Sequence, residues 1–237
     1  MRENNVKYLA IYEELKQGII NGNYSVGSLF PAEPDLQKRF NVSRITVRHA
    51  VKLLVDEGYL QRIHGIGTIV ISNKESLQLQ TLLSFSEENG ANNVSSTLID
   101  FEKNVPADTM VCSQLDLPTG AVVSKQDRLR WIDNAPISFQ RVYCPSFIDL
   151  SAEELKAPDV SLYHLFRKKG FVVTNANETI ESVIADKKVS GYLRVNESDP
   201  LLYVQRVTRD QRGRLVEYAQ IFYRGDRYRY NVQLQVP

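Results

Sequence analysis

The sequence predicts an α+β protein of two modules: an N-terminal three-helix unit with a β-hairpin, then a larger domain built on an antiparallel sheet. Three observations carry this. Apolar residues recur at three- and four-residue spacing up to about residue 57 and at strand-like spacing beyond it. A basic island, Lys38–His64, holds six Lys/Arg against two Asp/Glu inside a chain whose net charge is only +1. The length of 237 residues, with 43% hydrophobic and 24% charged side chains, suits two folded domains and not a disordered chain.

Composition also sets exclusions. No apolar run approaches the ~20 residues of a membrane helix. Met1-Arg2-Glu3-Asn4-Asn5 opens without an apolar signal segment, so a cytoplasmic location is expected, with no membrane partner. Cys112 and Cys144 are too few for a disulfide scaffold or a zinc cluster, and His49, His64 and His164 leave little material for a metal or triad site. No cofactor, metal or catalytic group is therefore expected. Residues 1–75 carry 10 Lys/Arg against 8 Asp/Glu, and residues 76–237 carry 19 against 20. A basic island beside a neutral remainder suits a polyanion-binding module attached to something else. From charge alone, a solvated helix face fits equally well.

The elements of the first module follow in order. Tyr8, Ile11, Leu15 and Ile19 form one apolar stripe, and Asn21-Gly22-Asn23 ends that helix. Pro31-Ala32-Glu33-Pro34 starts a short second helix through Leu36 and Phe40, with Pro34 in the first turn and Asn41 as its break. Ser43 reads as the N-cap of a third helix from Arg44 to about Glu57. Val47, Ala50, Val51 and Leu54 share its core face. Ile45, Arg48, His49 and Lys52 lie opposite, with Arg44 and Thr46 in the first turn. A capped helix, basic outside and joined by a tight turn to a shorter one, is a helix-turn-helix arrangement. Its N-terminal amides favour a phosphate, and exposed Ile45 suits a thymine methyl. Leu60-Gln61-Arg62-Ile63 and Thr68-Ile69-Val70-Ile71 flank His64-Gly65-Ile66-Gly67, a hairpin that serves as a wing.

Residues 6–71 thus resemble the winged helix-turn-helix of GntR-family bacterial transcription regulators. The matching stretches are Phe30-Pro31-Ala32-Glu33, Val42-Ser43-Arg44-Ile45-Thr46-Val47-Arg48, Leu53–Leu60 and His64-Gly65-Ile66-Gly67-Thr68. The resemblance implies DNA contacts from Ser43, Arg44, Thr46 and Arg48 in the reader helix and from His64, Gly65 and Thr68 in the wing. Ile45, His49 and Lys52 complete the expected DNA face. The chain departs from the family at Ala32 (usually Ser), Pro34 (often Arg) and Ile66 (usually basic or polar). Fewer electrostatic contacts or an altered operator preference follow from these departures.

Beyond the polar stretch Ser72–Ser76 the pattern changes. Strand-like runs cover 94–102, 122–132, 137–143, 178–185, 201–210, 214–223 and 228–236, with helical stretches at 107–115, 161–169 and 186–193. Asp133-Asn134 and Gln211-Arg212-Gly213 read as hairpin turns, so the sheet is mainly antiparallel. The expected division is 1–71 for the winged module, 72–80 for a linker and 81–237 for the second domain. That domain also echoes itself. Leu115 to Tyr143 parallels Leu193 to Tyr223 at an offset of 78–80 residues, Arg128 matching Arg206 and Gln140 matching Gln220. The echo suggests a pseudo-symmetric sheet with a cleft between its halves. Coincidence between two amphipathic hairpins is the other reading.

Arg128 and Arg130, two apart on a strand, point to one face, and two cations converging on a half-buried sheet call for an anion. Ser161 reads as an N-cap, and Ser84-Phe85-Ser86-Glu87 as a capping box. Ordinary caps and surface ion pairs explain the same residues. Residues 80–236, however, resemble the effector-binding UTRA domain of the HutC subfamily of GntR regulators, with a chorismate-lyase-like fold. The match runs through Leu83-Ser84-Phe85-Ser86-Glu87-Glu88, Leu115-Asp116-Leu117-Pro118, Ser161-Leu162-Tyr163, Asn177–Glu181, Val216-Glu217-Tyr218 and Tyr223–Tyr230. By that resemblance Arg128, Arg130, Ser86 and Ser161 hold a phosphate, within an effector site that also takes in Ser84, Phe85 and Gln140. Tyr163, Glu178, Glu217 and Tyr223 contact the rest of the ligand. Family members often have Glu where this chain has Gln140. The function implied is a homodimeric transcription regulator, a repressor on a palindromic operator, controlled by a small anionic effector such as a sugar phosphate. A chorismate-lyase-like enzyme and a DNA binder without a ligand are the rivals.

Overall fold

A computed structural model of the chain describes residues 2–78, 94–132, 134–156 and 161–231. It separates into two compact units, Met1–Leu79 with Arg229–Pro237, and Gln80–Tyr228.

In the first unit, α1 (Arg2–Ile20) turns Ile11, Tyr12, Leu15 and Ile19 into the core. Helix α2 (Glu33–Phe40) has Ala32 at its N-cap with no side-chain bond, Pro34 in its first turn and left-handed Asn41 at its end. Helix α3 (Arg44–Asp56) starts where Ser43 Oγ accepts the Thr46 amide at 3.3 Å. Val47, Ala50, Val51 and Leu54 pack against α1, Phe30, Leu36, Tyr59, Leu60 and Val70. Strands β1 (Leu60–Ile63) and β2 (Gly67–Val70) pair antiparallel, Leu60 opposite Val70. Gly65 and Gly67 have φ of +77° and +127°, which the tight tip of this hairpin requires. Strand β3 (Glu75–Gln78), within the expected linker, pairs with β10 (Tyr228–Asn231).

The second unit runs strand, helix, strand, strand twice. Its first half comprises β4 (Val94–Pro106), α4 (Thr109–Leu115), β5 (Val122–Ile132) and β6 (Ala135–Pro145). After α5 (Ala152–Leu155) and α6 (Leu162–Lys168), the second half repeats with β7 (Val173–Ile184), α7 (Lys187–Leu193), β8 (Pro200–Asp210) and β9 (Leu215–Arg224). The six-stranded sheet has the order β4-β5-β6-β9-β8-β7, so the halves meet at the β6–β9 pair about an approximate two-fold axis. The duplication extends to the caps. Asp108 and Asp186 accept the amides of Val111 and Val189 at 2.8 and 2.7 Å, and Asp116 and Arg194 end α4 and α7 in left-handed conformation. Helices α4 and α7 seal one sheet face through clusters around Val111, Leu115 and Tyr218, and around Leu129, Phe139, Val189 and Leu193. The opposite face carries a cavity.

Candidate functional site

The first candidate surface is the outer side of α3 with the β1–β2 hairpin. Ser43, Arg44, Ile45, Arg48, His49, Lys52, His64 and Gly65 are exposed on it, and Thr68 is half-buried. Ile45 is 69% exposed at the start of α3 and Ile66 is 60% exposed at the hairpin tip, apolar side chains held in solvent beside cations. Glu33, the first residue of α2, lies 3.7 Å from Arg44 Nε and 3.2 Å from Arg62 Nη2, which links reader helix, wing and α2. His49 meets the Tyr8 ring edge-on at 5.6 Å. Thr46 differs from its neighbours: it is buried, and its hydroxyl lies 2.8 Å from Ser43 Oγ. Its place four residues before core Ala50 is the helical signal for that inward turn.

The second candidate site is a cavity wholly within the second unit. Arg128, Arg130, Gln140, Tyr163, Glu217 and Tyr223, all named from the sequence, line it, and Gln126, Val142, Leu155, Leu162, Arg206, Ala219 and Ile221 complete the wall. The register explains the convergence. Arg128 pairs with Gln140 and Gln140 with Ile221, while Gln126, Val142, Ala219 and Arg206 form a parallel row, so both rows face the same side of the sheet.

Two of these arginines, buried Arg128 and half-buried Arg206, differ. Arg206 Nε donates to Glu178 Oε1 at 2.5 Å, and Nη1 donates to Tyr163 Oη at 3.3 Å. Burial opposes its charge, but Tyr163, Glu178, Tyr223 and Glu217 outweigh that and hold its pKa well above the ordinary value. Arg128 is 3% exposed, and its guanidinium donates only to neutral acceptors, Ser96 Oγ at 2.8 Å and the Leu155 carbonyl. Among the described residues no carboxylate forms an ion pair with it, and burial pulls its pKa down from its ordinary value to about 10. Arg130 stands beside it, Nε donating to Gln140 Oε1 at 3.2 Å. Across the cavity Glu217 accepts from Tyr163 at 3.0 Å and from Thr208 at 2.6 Å; burial raises the Tyr163 pKa, so the phenol stays a donor. Gln126 Oε1 is buried with no hydrogen-bond partner among the described residues.

Other expected residues stand behind the wall or outside the description. Glu178 holds Arg206. Ser161 caps α6 by accepting the His164 amide at 3.2 Å, which places Leu162 and Tyr163 at the cavity. Ser84, Phe85 and Ser86 lie outside the described residues. Sequence reasoning did not assign Arg206 or Gln126 to the site, although the echo of Arg128 in Arg206 was the available signal. Among the described residues no cluster of three or more His, Cys, Asp or Glu side chains could hold a metal. No helix there is long and apolar enough to cross a membrane.

Comparison with known proteins agrees with this geometry. The family described as "UTRA domain" matches residues 91–229, and "Bacterial regulatory proteins, gntR family" matches residues 7–70. The chain is 29% identical over 223 residues to the "HTH-type transcriptional repressor NagR" of Bacillus subtilis, covering 93% of this chain and 91% of that protein. It is 27% identical over 221 residues to the "Probable fructoselysine utilization operon transcriptional repressor" of Shigella flexneri, with 93% and 91% covered. The crystal structure of PhnF from Mycobacterium smegmatis superposes with a TM-score of 0.66 at 25% identity, over 95% of this chain and 99% of that one. A winged DNA-reading unit followed by a duplicated sheet with a charged cavity therefore has its place: the chain belongs to the gntR family of bacterial regulatory proteins and carries a UTRA domain.

Proposed function

We propose that this regulator is controlled by a small anionic metabolite, a phosphorylated sugar or sugar derivative, bound in the cavity of the UTRA domain. The family and its relatives are transcriptional regulators and not enzymes, so the cavity is read as a sensor site. The observation that carries the reading is Arg128, a buried cation with no carboxylate paired to it among the described residues, beside Arg130. A dianionic phosphate supplies the missing countercharge and accepts from both guanidinium groups. The cavity also offers acceptors, Glu217 and Gln126 Oε1, the latter without a partner among the described residues, which suit ligand hydroxyl or amine donors. One relative is named for the utilization of a sugar derivative, fructoselysine, which supports the sugar part of this reading and not the phosphate.

The rest of the reading follows the family. The protein acts as a repressor in the cytoplasm, and a homodimer sets two α3 helices about 34–36 Å apart on a palindromic operator. Arg44, Ile45, Arg48 and Lys52 read the major groove, His64, Gly65 and Thr68 contact it from the wing, and Ser43 contacts backbone. The ligand alters operator affinity by binding two arrangements of the protein unequally.

The test is thermal unfolding against phosphorylated sugars, other phosphate esters, phosphonates and small carboxylates. A ligand at ~100 times its dissociation constant adds about 2.7 kcal/mol. At roughly 2–4 °C per kcal/mol, that raises the midpoint by several degrees. A shift confined to phosphate esters and lost in Arg128→Met supports the proposal. Shifts from carboxylates alone, or none at all, overturn it.

A further inference from the structure

Helix α3 has an unfavourable end. Asp56 is its last residue and Glu57 its C-cap, and its last turn holds no basic side chain. Acidic groups there oppose the helix dipole and leave the final carbonyls without a cation. Lys16 answers part of this from α1, 3.7 Å from the Glu57 carboxylate, and Tyr12 donates to the same carboxylate at 2.7 Å. The backbone end is met from the other end of the chain. Arg229 Nη2 donates to the Gly58 carbonyl at 2.6 Å and to the Glu57 carbonyl at 3.3 Å, and its guanidinium lies 5.3 Å from the centroid of buried Tyr59.

Arg229 lies on β10, which pairs with β3, so the strand that carries it belongs to the same unit as α3. We propose that Arg229 is a positioning residue for the reader helix: it closes the C-terminal end of α3 from the far end of the chain and so fixes how the helix is held. Calling α3 the reader helix rests on the DNA-binding role proposed above.

Hydrogen exchange in the full-length protein tests this without any ligand. Arg229→Ala is expected to speed exchange of the amides at residues 53–60 about tenfold, the scale of one charge-assisted cap, while α4 and α7 exchange as in the wild type. Arg229→Lys, which keeps the charge but not the flat two-donor geometry, falls between them. A parallel arm measures affinity for a duplex that the wild-type protein selects from a random library; Arg229→Ala is expected to weaken it severalfold. Unchanged exchange at 53–60 in Arg229→Ala overturns the positioning role. The exchange arm needs no DNA or effector, so failure of the operator or effector reading is told apart from failure of this one.

Discussion

Replacing Arg128 by Met separates a ligand-binding arginine from a structural one. The burial that pulls the Arg128 pKa down to about 10 corresponds to a cost of about 3 kcal/mol for holding the cation in its buried place. The sign follows from the folded value lying below the unfolded one. The cost is present in full below about pH 10 and is relieved only above it. At neutral pH the ligand-free protein bears all of it. Met removes that cost and fills similar volume, but it also removes the bonds to Ser96 Oγ and the Leu155 carbonyl. At about 1–1.5 kcal/mol each, those losses nearly cancel the gain, so ligand-free stability in urea is expected to move by no more than about 1 kcal/mol. Anion binding does not cancel. A bound phosphate recovers the roughly 3 kcal/mol only when Arg128 is present, so calorimetry on a phosphate ester found in the unfolding screen is expected to show affinity at least about 100-fold weaker in Arg128→Met. In the wild type that affinity also rises with pH through about 6, as the phosphate takes its second charge. A loss of about 3–5 kcal/mol in ligand-free stability would refute the reasoning, because that is the signature of a buried ion pair already complete. Affinity within threefold of wild type would refute it as well.

Two further outcomes test the frame around the site. Arg48→Ala, on the exposed face of α3, is expected to weaken specific DNA binding by ~1–3 kcal/mol with no change in thermal midpoint; unchanged affinity for both selected and random duplexes would show that this face does not meet DNA. Gly225→Ala places a Cβ 2.6 Å from the Pro200 carbonyl oxygen, a backbone atom at the start of β8, and is expected to cost about 1–3 kcal/mol; a midpoint within one degree of wild type would count against that close approach.

How much of this was legible in the sequence depended on how local the cause was. Ser43 caps α3, Asn41 breaks α2 and two glycines turn the hairpin because each acts through its own backbone or that of residues three or four away. The duplicated domain was legible for the same reason, as each half repeats its caps, hairpin and arginine. The DNA contact expected of Thr46 comes from the family resemblance alone, whereas its spacing to Ala50 points inward, and the side chain is buried. The Ser151–Glu154 capping box, which opens α5, was passed over in a four-residue helix too short for periodicity to register. Pairing of β3 with β10 joins segments some 150 residues apart, and no pattern within either one encodes the other. The cavity falls between these cases. Its arginines were visible as a same-face pair, but which of them lacked a countercharge depended on register across strands.

That register yields the sharpest use of the duplication. Arg206 on β8 stands opposite Glu178 on β7, and Arg128 on β5 stands opposite Leu98 on β4. The strand positions correspond across the approximate two-fold, so the two halves differ where an arginine meets its outer neighbour. In one half the acid closes the charge within the protein and Arg206 becomes a fixed donor to Tyr163. In the other, leucine leaves the charge for something that enters the cavity. Leu98→Glu is then expected to rebuild the Glu178–Arg206 arrangement around Arg128. A carboxylate in register with the guanidinium competes with the ligand's phosphate for the same donors and adds like-charge repulsion. Unfolding in urea is expected to hold near the wild-type midpoint, since the new acid enters beside an unpaired cation. The midpoint shift given by a phosphate ester is expected to disappear. Selected-duplex affinity in the absence of ligand should stay as in the wild type, which keeps loss of sensing distinct from loss of reading. If Leu98→Glu still responds to the ester as the wild type does, the vacancy opposite Arg128 is not what selects the anion.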